Sequence, residues 1–381
     1  LRRAEADVDP FRRTVRDWLA DNLTGDFAGL RGLGGPGREH EAFEDRLAWD
    51  RHLAAHGWTC LGWPVEYGGR GLPLARQVVF HEEYARAEAP ARVGHVGEEL
   101  LGPTLLAFGT PEQRRRFLPA IAAVRELWCQ GYSEPEAGSD LANVRTAAVL
   151  EGREWVVTGQ KVWTSLAHLA QWCFALVRTE PGSRRQAGLS YLLIPMDQPG
   201  VEVRPIRQLT GTSEFNEVFF TGARTGADLV VGQPGEGWKV AMGTLAVERG
   251  AAVLGQQVGF RRELTALAEL ARMSGALADP GIRDRLTRAW IGLETLCAFS
   301  QRAEPAQAPL VKLCWGQWHQ GLGELAMTVR GAAGLVAPEG FDRWQRLFLF
   351  SRADTIYGGT NEIQRTIVAE RILGLPREAR P

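Results

Sequence analysis

Lysine is nearly absent. A chain of 381 residues holds only Lys161, Lys239 and Lys312. Arginine supplies almost all the positive charge, a bias that reads as a GC-rich coding sequence rather than as a function. The formal net charge is −1, and no basic stripe with interleaved aromatics occurs. Nucleic-acid binding is therefore not expected. No apolar run is long enough to span a membrane, so no membrane association is expected. The five cysteines (Cys60, Cys129, Cys173, Cys297 and Cys314) lack C-x-x-C spacing. That pattern, with no visible signal peptide, reads as reduced thiols in a cytoplasmic protein.

Several catalytic signatures are also missing. No G-x-S-x-G and no P-loop occurs, so hydrolase and NTPase readings have no motif behind them. Gly32-Leu33-Gly34-Gly35-Pro36-Gly37 matches G-x-G-x-x-G. It follows a helix rather than a strand, and Pro36 spoils the helix entry, so it is not a dinucleotide fingerprint. His52 and His56 stand four apart on a helical stretch with no third ligand in view; two surface or core histidines is the plainer reading. His81-Glu82 lacks a second zincin histidine, since position 85 is Ala.

With 45% hydrophobic residues, the chain has material for a large core and for two or three domains. Residues 9–23 read as a helix: Asp9 caps, Pro10 suits the first turn, and Phe11, Val15, Trp18 and Leu19 share a face. Helical patterns recur at 41–56, 73–88, 98–108 and in PEQRRRFLPAIAAV. From about Trp128 short β-branched and aromatic runs alternate with turns, as in EWVVTGQKVWTS, WCFALVRT, LSYLLIPM and NEVFFTG. Helices return at 238–273, 280–303, 307–330 and 340–356, with a last one near 361–373. The order predicts an α+β protein with an N-terminal helical domain (1–127), a middle β domain (128–232) and a C-terminal helical domain (233–381).

Four stretches carry candidate chemistry. YSEPEAGSDL (132–141) sets Ser133, Ser139 and backbone N–H groups in a turn containing Gly138, suited to a polar ring edge or a pyrophosphate. VTGQKVWTS (157–165) puts Trp163 and Ser165 on one side of a strand, an aromatic face beside a hydroxyl. On composition alone Trp163 reads as ordinary β-domain core. GWKVAMGTLAVERGAAVLG (237–255) carries Glu248-Arg249 on a helix. IYGGTNEIQR (356–365) interrupts helical sequence with a glycine pair. It reads either as a helix-to-helix turn or as a turn touching a cofactor or substrate.

Together with EYGGRGLP (66–73) and GTPEQRRRFLP (109–119), these stretches resemble the acyl-CoA dehydrogenase family in order and spacing over nearly the whole chain. The resemblance implies a middle β-barrel domain, a C-terminal four-helix bundle, FAD as cofactor and an acyl-CoA substrate. It places Tyr132 and Ser133 at the polar edge of the flavin and Gly138 and Ser139 in the phosphate region. Trp163 matches the tryptophan beside the isoalloxazine, and Ser165 the hydroxyl near flavin N5. Gly359, Thr360 and Glu362 match positions facing the FAD of a subunit interface. Many members read Y-E-G-T where this chain reads Tyr357-Gly358-Gly359-Thr360, so the usual carboxylate base is missing. A minority carry the base on the E-R helix. The resemblance thus implies Glu248 as α-proton base, Arg249 as a substrate contact and Gly358 as a backbone donor to the thioester carbonyl. Without it, Glu248 reads as a surface glutamate or an ion-pair partner.

Two departures matter. Residues 270–286 (LARMSGALADPGIRDRL) contain no R-x-x-F-G, the family's pyrophosphate clamp, and Q-I-x-G-G-x-G becomes Thr328-Val329-Arg330-Gly331-Ala332-Ala333-Gly334. Either a homodimer or homotetramer holds FAD differently, or a sister subunit completes a heterotetramer. Electron-transfer flavoprotein is the expected acceptor; an O₂-using oxidase or monooxygenase is the alternative on the same fold. Gly94, Gly97, Gly102 and Pro103 are expected to break the substrate-lining helix and make room for a bulky acyl group.

Overall fold

The computed structural model describes residues 10–247, 252–300 and 302–377. They fall into two compact units. One lies within Leu1–Phe80 and Ala87–Gly250, the other within His81–Arg86 and Ala251–Pro381.

The first unit begins with helices α1 (Pro10–Asn22), α2 (Phe43–Ala55), α3 (Leu74–Arg86, whose last turns belong to the second unit), α4 (Gly102–Phe108) and α5 (Pro111–Ala122). α1 buries Val15 and Leu19 as its spacing predicts. Trp18 stacks on His52, and His52 and His56 lie ring against ring at 4.4 Å. His52 Nε2 is engaged by Asn22 Oδ1 at 2.8 Å and His56 Nδ1 by the His52 carbonyl at 2.8 Å. The pair belongs to an aromatic cluster at the surface, His52 half-buried and His56 exposed. The rejected glycine motif does bind an anion, an internal one: Gly37 N–H and Glu39 N–H each donate to the Glu214 carboxylate at 2.9 Å.

α5 shows why GTPEQRRRFLP folds as it does. Thr110 Oγ1 accepts from Gln113 N, the Gln113 side chain returns to Thr110 N, and Pro111 occupies the first turn. Gln113 Nε2 then donates to the carbonyls of Asp228 and Val230, both at 2.7 Å, tying the helix to the sheet.

The segment 91–103 departs from expectation. It is a π-turn over Val96–Leu101 running into α4, not a broken helix. Its glycines are sites of close packing rather than free space. A Cβ at Gly102 would lie 1.8 Å from Trp63, one at Gly97 would lie 3.0 Å from Ile121, and one at Gly94 would lie 3.2 Å from Val124. Asp50 anchors the start of this segment by accepting from Val93 N and Gly94 N, both at 3.0 Å, and from Arg92 Nε at 2.6 Å.

The β part is one eight-stranded sheet made of β1 (Trp128–Gly131), β2 (Ala147–Glu151), β3 (Glu154–Ser165), β4 (Trp172–Arg178), β5 (Leu189–Pro195), β6 (Val201–Ile206), β7 (Phe215–Gly226) and β8 (Val230–Val231). The order is β6-β7-β3-β2-β4-β5-β8, with β1 parallel to β4. β4 and β5 are near-continuous apolar runs because both their faces are covered. Helix α6 (Gly237–Val247) packs on β5.

The second unit holds α7 (Ala252–Met273), α8 (Pro280–Ser300), α9 (Ala308–Arg330), α10 (Arg343–Phe350) and α11 (Asn361–Ile367), which passes into a π-turn over Val368–Ile372. Its core includes Leu267, Leu293, Leu322 and Ala326. The helix expected from 340 starts at Arg343 because Asp342 caps it, Oδ1 accepting from Trp344 N at 2.8 Å and Gln345 N at 3.0 Å. Among the described residues no helix is long and apolar enough to cross a membrane. All five cysteines are free thiols.

Candidate active site

The expected site residues form two groups, one in each unit; Glu248 and Arg249 lie outside the described residues. In the first unit Tyr132, Ser133, Gly138, Ser139, Trp163 and Ser165 come from two neighbouring stretches. Tyr132 leaves β1 with its ring set edge-on against Phe174 and Tyr191. A tight reciprocal turn follows: Glu134 N donates to Ala137 O at 3.1 Å, and Ala137 N donates to Glu134 O at 3.0 Å. Gly138 and Ser139 lie just beyond it, exposed to solvent.

β3 meets this turn directly, Val162 N donating to Ser133 O at 2.9 Å. Lys161 pairs with Val218 and Thr164 with Asn216, so β3 carries one extra residue between them. That β-bulge puts Trp163 at φ +60° with 58% of its surface exposed, its ring edge-on to Phe215. A large apolar ring on a left-handed residue at a bulge is unusual, and such features concentrate where a strand presents a side chain to a ligand. Trp163 is thus not core, as its composition alone would have it. Ser165, opposite Phe215, is half-buried on the same side, while Thr164 between them points inward and is fully buried.

Beneath these residues is a buried ion pair that the sequence did not single out. Lys161 Nζ lies 2.8 Å from Glu134 Oε1; the side chains are 0% and 7% exposed. Burial pushes the Glu134 carboxyl up, but the Lys161 ammonium and hydrogen bonds from the Thr146 side and Arg145 N outweigh it, and the net direction is down. Burial pulls the Lys161 ammonium below its ordinary range against the opposing pull of Glu134. The available signal was the rarity of lysine. Two of three lysines, Lys161 and Lys312, are buried.

In the second unit the turn Tyr357–Thr360 is held from several sides. Gly358 and Gly359 have φ of +61° and +88°, and a Cβ on Gly359 would lie 2.4 Å from Gln364 Nε2. That amide donates to the carbonyls of Gly358 at 3.0 Å and Gly359 at 3.3 Å. Thr360 caps α11, Oγ1 accepting from Ile363 N at 3.2 Å. Glu362 is exposed, 3.4 Å from Arg365. Tyr357 O–H donates to Asp354 Oδ1 at 2.6 Å, Asp354 Oδ2 meets His319 Nδ1 at 2.6 Å, and His319 Nε2 meets Glu263 Oε2 at 2.9 Å. Burial works against protonation of His319, but bonds and charges from Asp354 and Glu263 lift its pKa to about 9. Lys312 Nζ donates to the Asp354 carbonyl at 2.7 Å. Asn361 Oδ1 and Gln364 Oε1 are buried here without a partner. Two orphaned acceptors beside the glycine turn suit a hydrogen-bond donor of a ligand, and in the other unit an exposed tryptophan beside a polar turn suits a flat ring. Among the described residues no group of side chains could hold a metal ion.

Models of the acyl-CoA dehydrogenase N-terminal, middle and C-terminal domains match residues 6–125, 129–223 and 235–373. The acyl-CoA dehydrogenase IpdE1 of Mycobacterium tuberculosis is 66% identical over 98% of this chain and 99% of its own length. IpdE1 of Mycolicibacterium smegmatis is 64% identical over the same shares. Among solved structures, the Tcur3481-Tcur3483 steroid ACAD matches with a TM-score of 0.85 and 30% identity over 99% of each chain. The ChsE4-ChsE5 complex from Mycobacterium tuberculosis matches with a TM-score of 0.83 and 30% identity over 99% of this chain and 100% of that one. Domain order, site motifs and near full-length identity agree: the chain is an enzyme of the acyl-CoA dehydrogenase family.

Proposed function

We propose that the chain catalyses FAD-dependent α,β-dehydrogenation of an acyl-CoA thioester to the 2-enoyl-CoA, with domain boundaries at 1–127, 128–232 and 233–381. The observation that carries this reading is the bulge that turns Trp163 out of the sheet beside Ser165, bonded through Val162 to the Ser133 backbone. Tyr132 and Ser133 hold the flavin's polar edge, Gly138 and Ser139 its phosphates, Trp163 its ring and Ser165 the N5 region. Gly359, Thr360 and Glu362 face the FAD of a subunit interface. When bound, FAD supplies the acceptor for the β-hydride.

The protein's own part is acid–base and electrostatic. An α-proton beside a thioester is weakly acidic, so the Gly358 N–H acts as a donor to the carbonyl oxygen, where negative charge develops. Glu248 removes the proton. Ala246, Val247, Ala251, Ala252 and Val253 flank it in sequence; an apolar setting raises a carboxyl pKa and matches it better to that task. Arg249, the next residue in sequence, serves the substrate.

The relatives named for steroids support a bulky polycyclic acyl group, and electron-transfer flavoprotein is the proposed acceptor. The missing R-x-x-F-G favours a heteromer in which a sister subunit completes the FAD site, and the ChsE4-ChsE5 relative is itself a complex. A cytoplasmic location accords with the free thiols. Anaerobic mixing with a steroid side-chain CoA ester should bleach the flavin of the wild type and leave that of E248Q oxidised but bound. Normal reduction in E248Q would sink the assignment of the base. No flavin reduction in the wild type would sink the reaction, rapid reoxidation of the reduced flavin by O₂ would sink electron-transfer flavoprotein as acceptor, and a preference for short straight acyl chains would sink the substrate class.

A further inference from the structure

Lys161 is sealed from solvent one residue before Val162 and two before Trp163. Its three ammonium donors meet three acceptors: Glu134 Oε1 at 2.8 Å, the Leu176 carbonyl at 2.6 Å and the Tyr132 carbonyl at 3.2 Å. Glu134 in turn accepts from Arg145 N at 2.6 Å and Thr146 N at 2.9 Å. The next residue, Val162, donates to Ser133 O. Residues 161 and 162 thus grip consecutive carbonyls, those of Tyr132 and Ser133, directly before the bulge that presents Trp163. The stem of Lys161 runs beside Gly131, where a Cβ would stand 3.5 Å from its Cγ and 2.8 Å from Cys173 Sγ.

Stability does not account for this arrangement. Desolvating two charges costs about as much as their attraction returns, and apolar replacements of buried pairs are often neutral. Nor is arginine, which supplies almost every other cation in the chain, a substitute. Its planar fork does not match three acceptors converging on one point, whereas a compact ammonium does. What the pair does achieve is registry. It locks the turn carrying Tyr132 and Ser133 to the strand carrying Trp163 and Ser165.

We propose that Lys161, with Glu134, is a positioning residue for the flavin, fixing the spacing between the Tyr132–Ser133 backbone and the Trp163 bulge so that one rigid surface meets both ring edge and ring face. This rests on the cofactor reading given above. The test is FAD binding by the double variant K161M/E134Q. It removes both charges together, so no lone charge is left buried, and Gln keeps an oxygen for the Arg145 and Thr146 N–H groups. Flavin is stripped from the purified protein, which is then titrated with FAD by flavin fluorescence. The visible spectrum of the bound flavin and the melting temperature of the flavin-free protein are recorded alongside.

The expected result is a folded double variant whose FAD Kd is weakened by about tenfold or more and whose bound spectrum is shifted from wild type. A wild-type Kd and spectrum in the double variant would overturn the inference and leave only a structural pair. Should the double variant not fold, K161R decides. It keeps the charge opposite Glu134 but not the compact three-way contact, and a folded K161R with wild-type Kd and spectrum overturns the inference equally. Wild-type protein that takes up no FAD even when purified with its sister subunit overturns the cofactor reading itself, and the inference with it.

Discussion

His319 should make the C-terminal unit lose stability as pH rises through the alkaline range. Its ring sits between two carboxylates, Asp354 at 2.6 Å and Glu263 at 2.9 Å, with only 12% of the side chain exposed. Phe260 lies against the ring at 4.6 Å, and Tyr357 and Lys312 both bond to Asp354 from other directions. The pKa stands at about 9 against an ordinary 6.5. Because the folded value is the higher one, the stabilisation is complete below pH 6.5, where both states are protonated. It drains away as pH climbs to about 9 and is gone above that. At about 1.4 kcal/mol per pH unit, the interval between the two values amounts to roughly 3 kcal/mol.

The variant H319Q retains an amide able to bond one carboxylate but has no titrating group. Urea unfolding of wild type and H319Q, compared at about pH 6 and about pH 9.5, isolates the effect, since all other titrations are shared. The stability gap between the two proteins should shrink by about 3 kcal/mol across that window. A gap constant to within ~0.5 kcal/mol would show that His319 is not held as a cation between Asp354 and Glu263, and would refute the reasoning.

Four further outcomes are expected. W163A should leave the melting temperature nearly unchanged, within about 0.5 kcal/mol, because its ring is mostly exposed, yet should weaken FAD uptake; a large drop in melting temperature would return Trp163 to the core. G359A meets both a φ of +88° and Gln364 Nε2 at 2.4 Å, so thermal unfolding should register a loss of about 1–3 kcal/mol. G102A drives a methyl into Trp63 and should cost about 1–3 kcal/mol; if it were neutral in stability and altered only acyl-chain preference, the glycine would be serving the substrate instead. Q113A removes the two bonds that tie α5 to the Asp228 and Val230 carbonyls and the capping-box bond from Thr110 N, and should cost about 2–4 kcal/mol by denaturant titration.

Most of the architecture was legible because each element obeyed one local rule. α1 follows its apolar face, α5 its capping box, and β4 and β5 their uninterrupted apolar runs. The failures share a different cause. Trp163 reads as core on composition alone, but one extra residue opposite β7 turns it out to solvent, and composition carries no sign of a bulge. Gly94, Gly97 and Gly102 looked like helix breakers, but glycine is equally the residue that lets a distant side chain in; only the fold shows Trp63, Ile121 and Val124 arriving there. Lys161 and Glu134 stand 27 positions apart, as Glu263, His319 and Asp354 are spread over three elements, so no local pattern ties either set together. In both cases the buried charges sit directly under a turn assigned to the cofactor or substrate, and that placement explains their tolerance in a core. A buried charge adds little net stability but does hold distant backbone segments in one register, which is what the proposed ring-facing residues require.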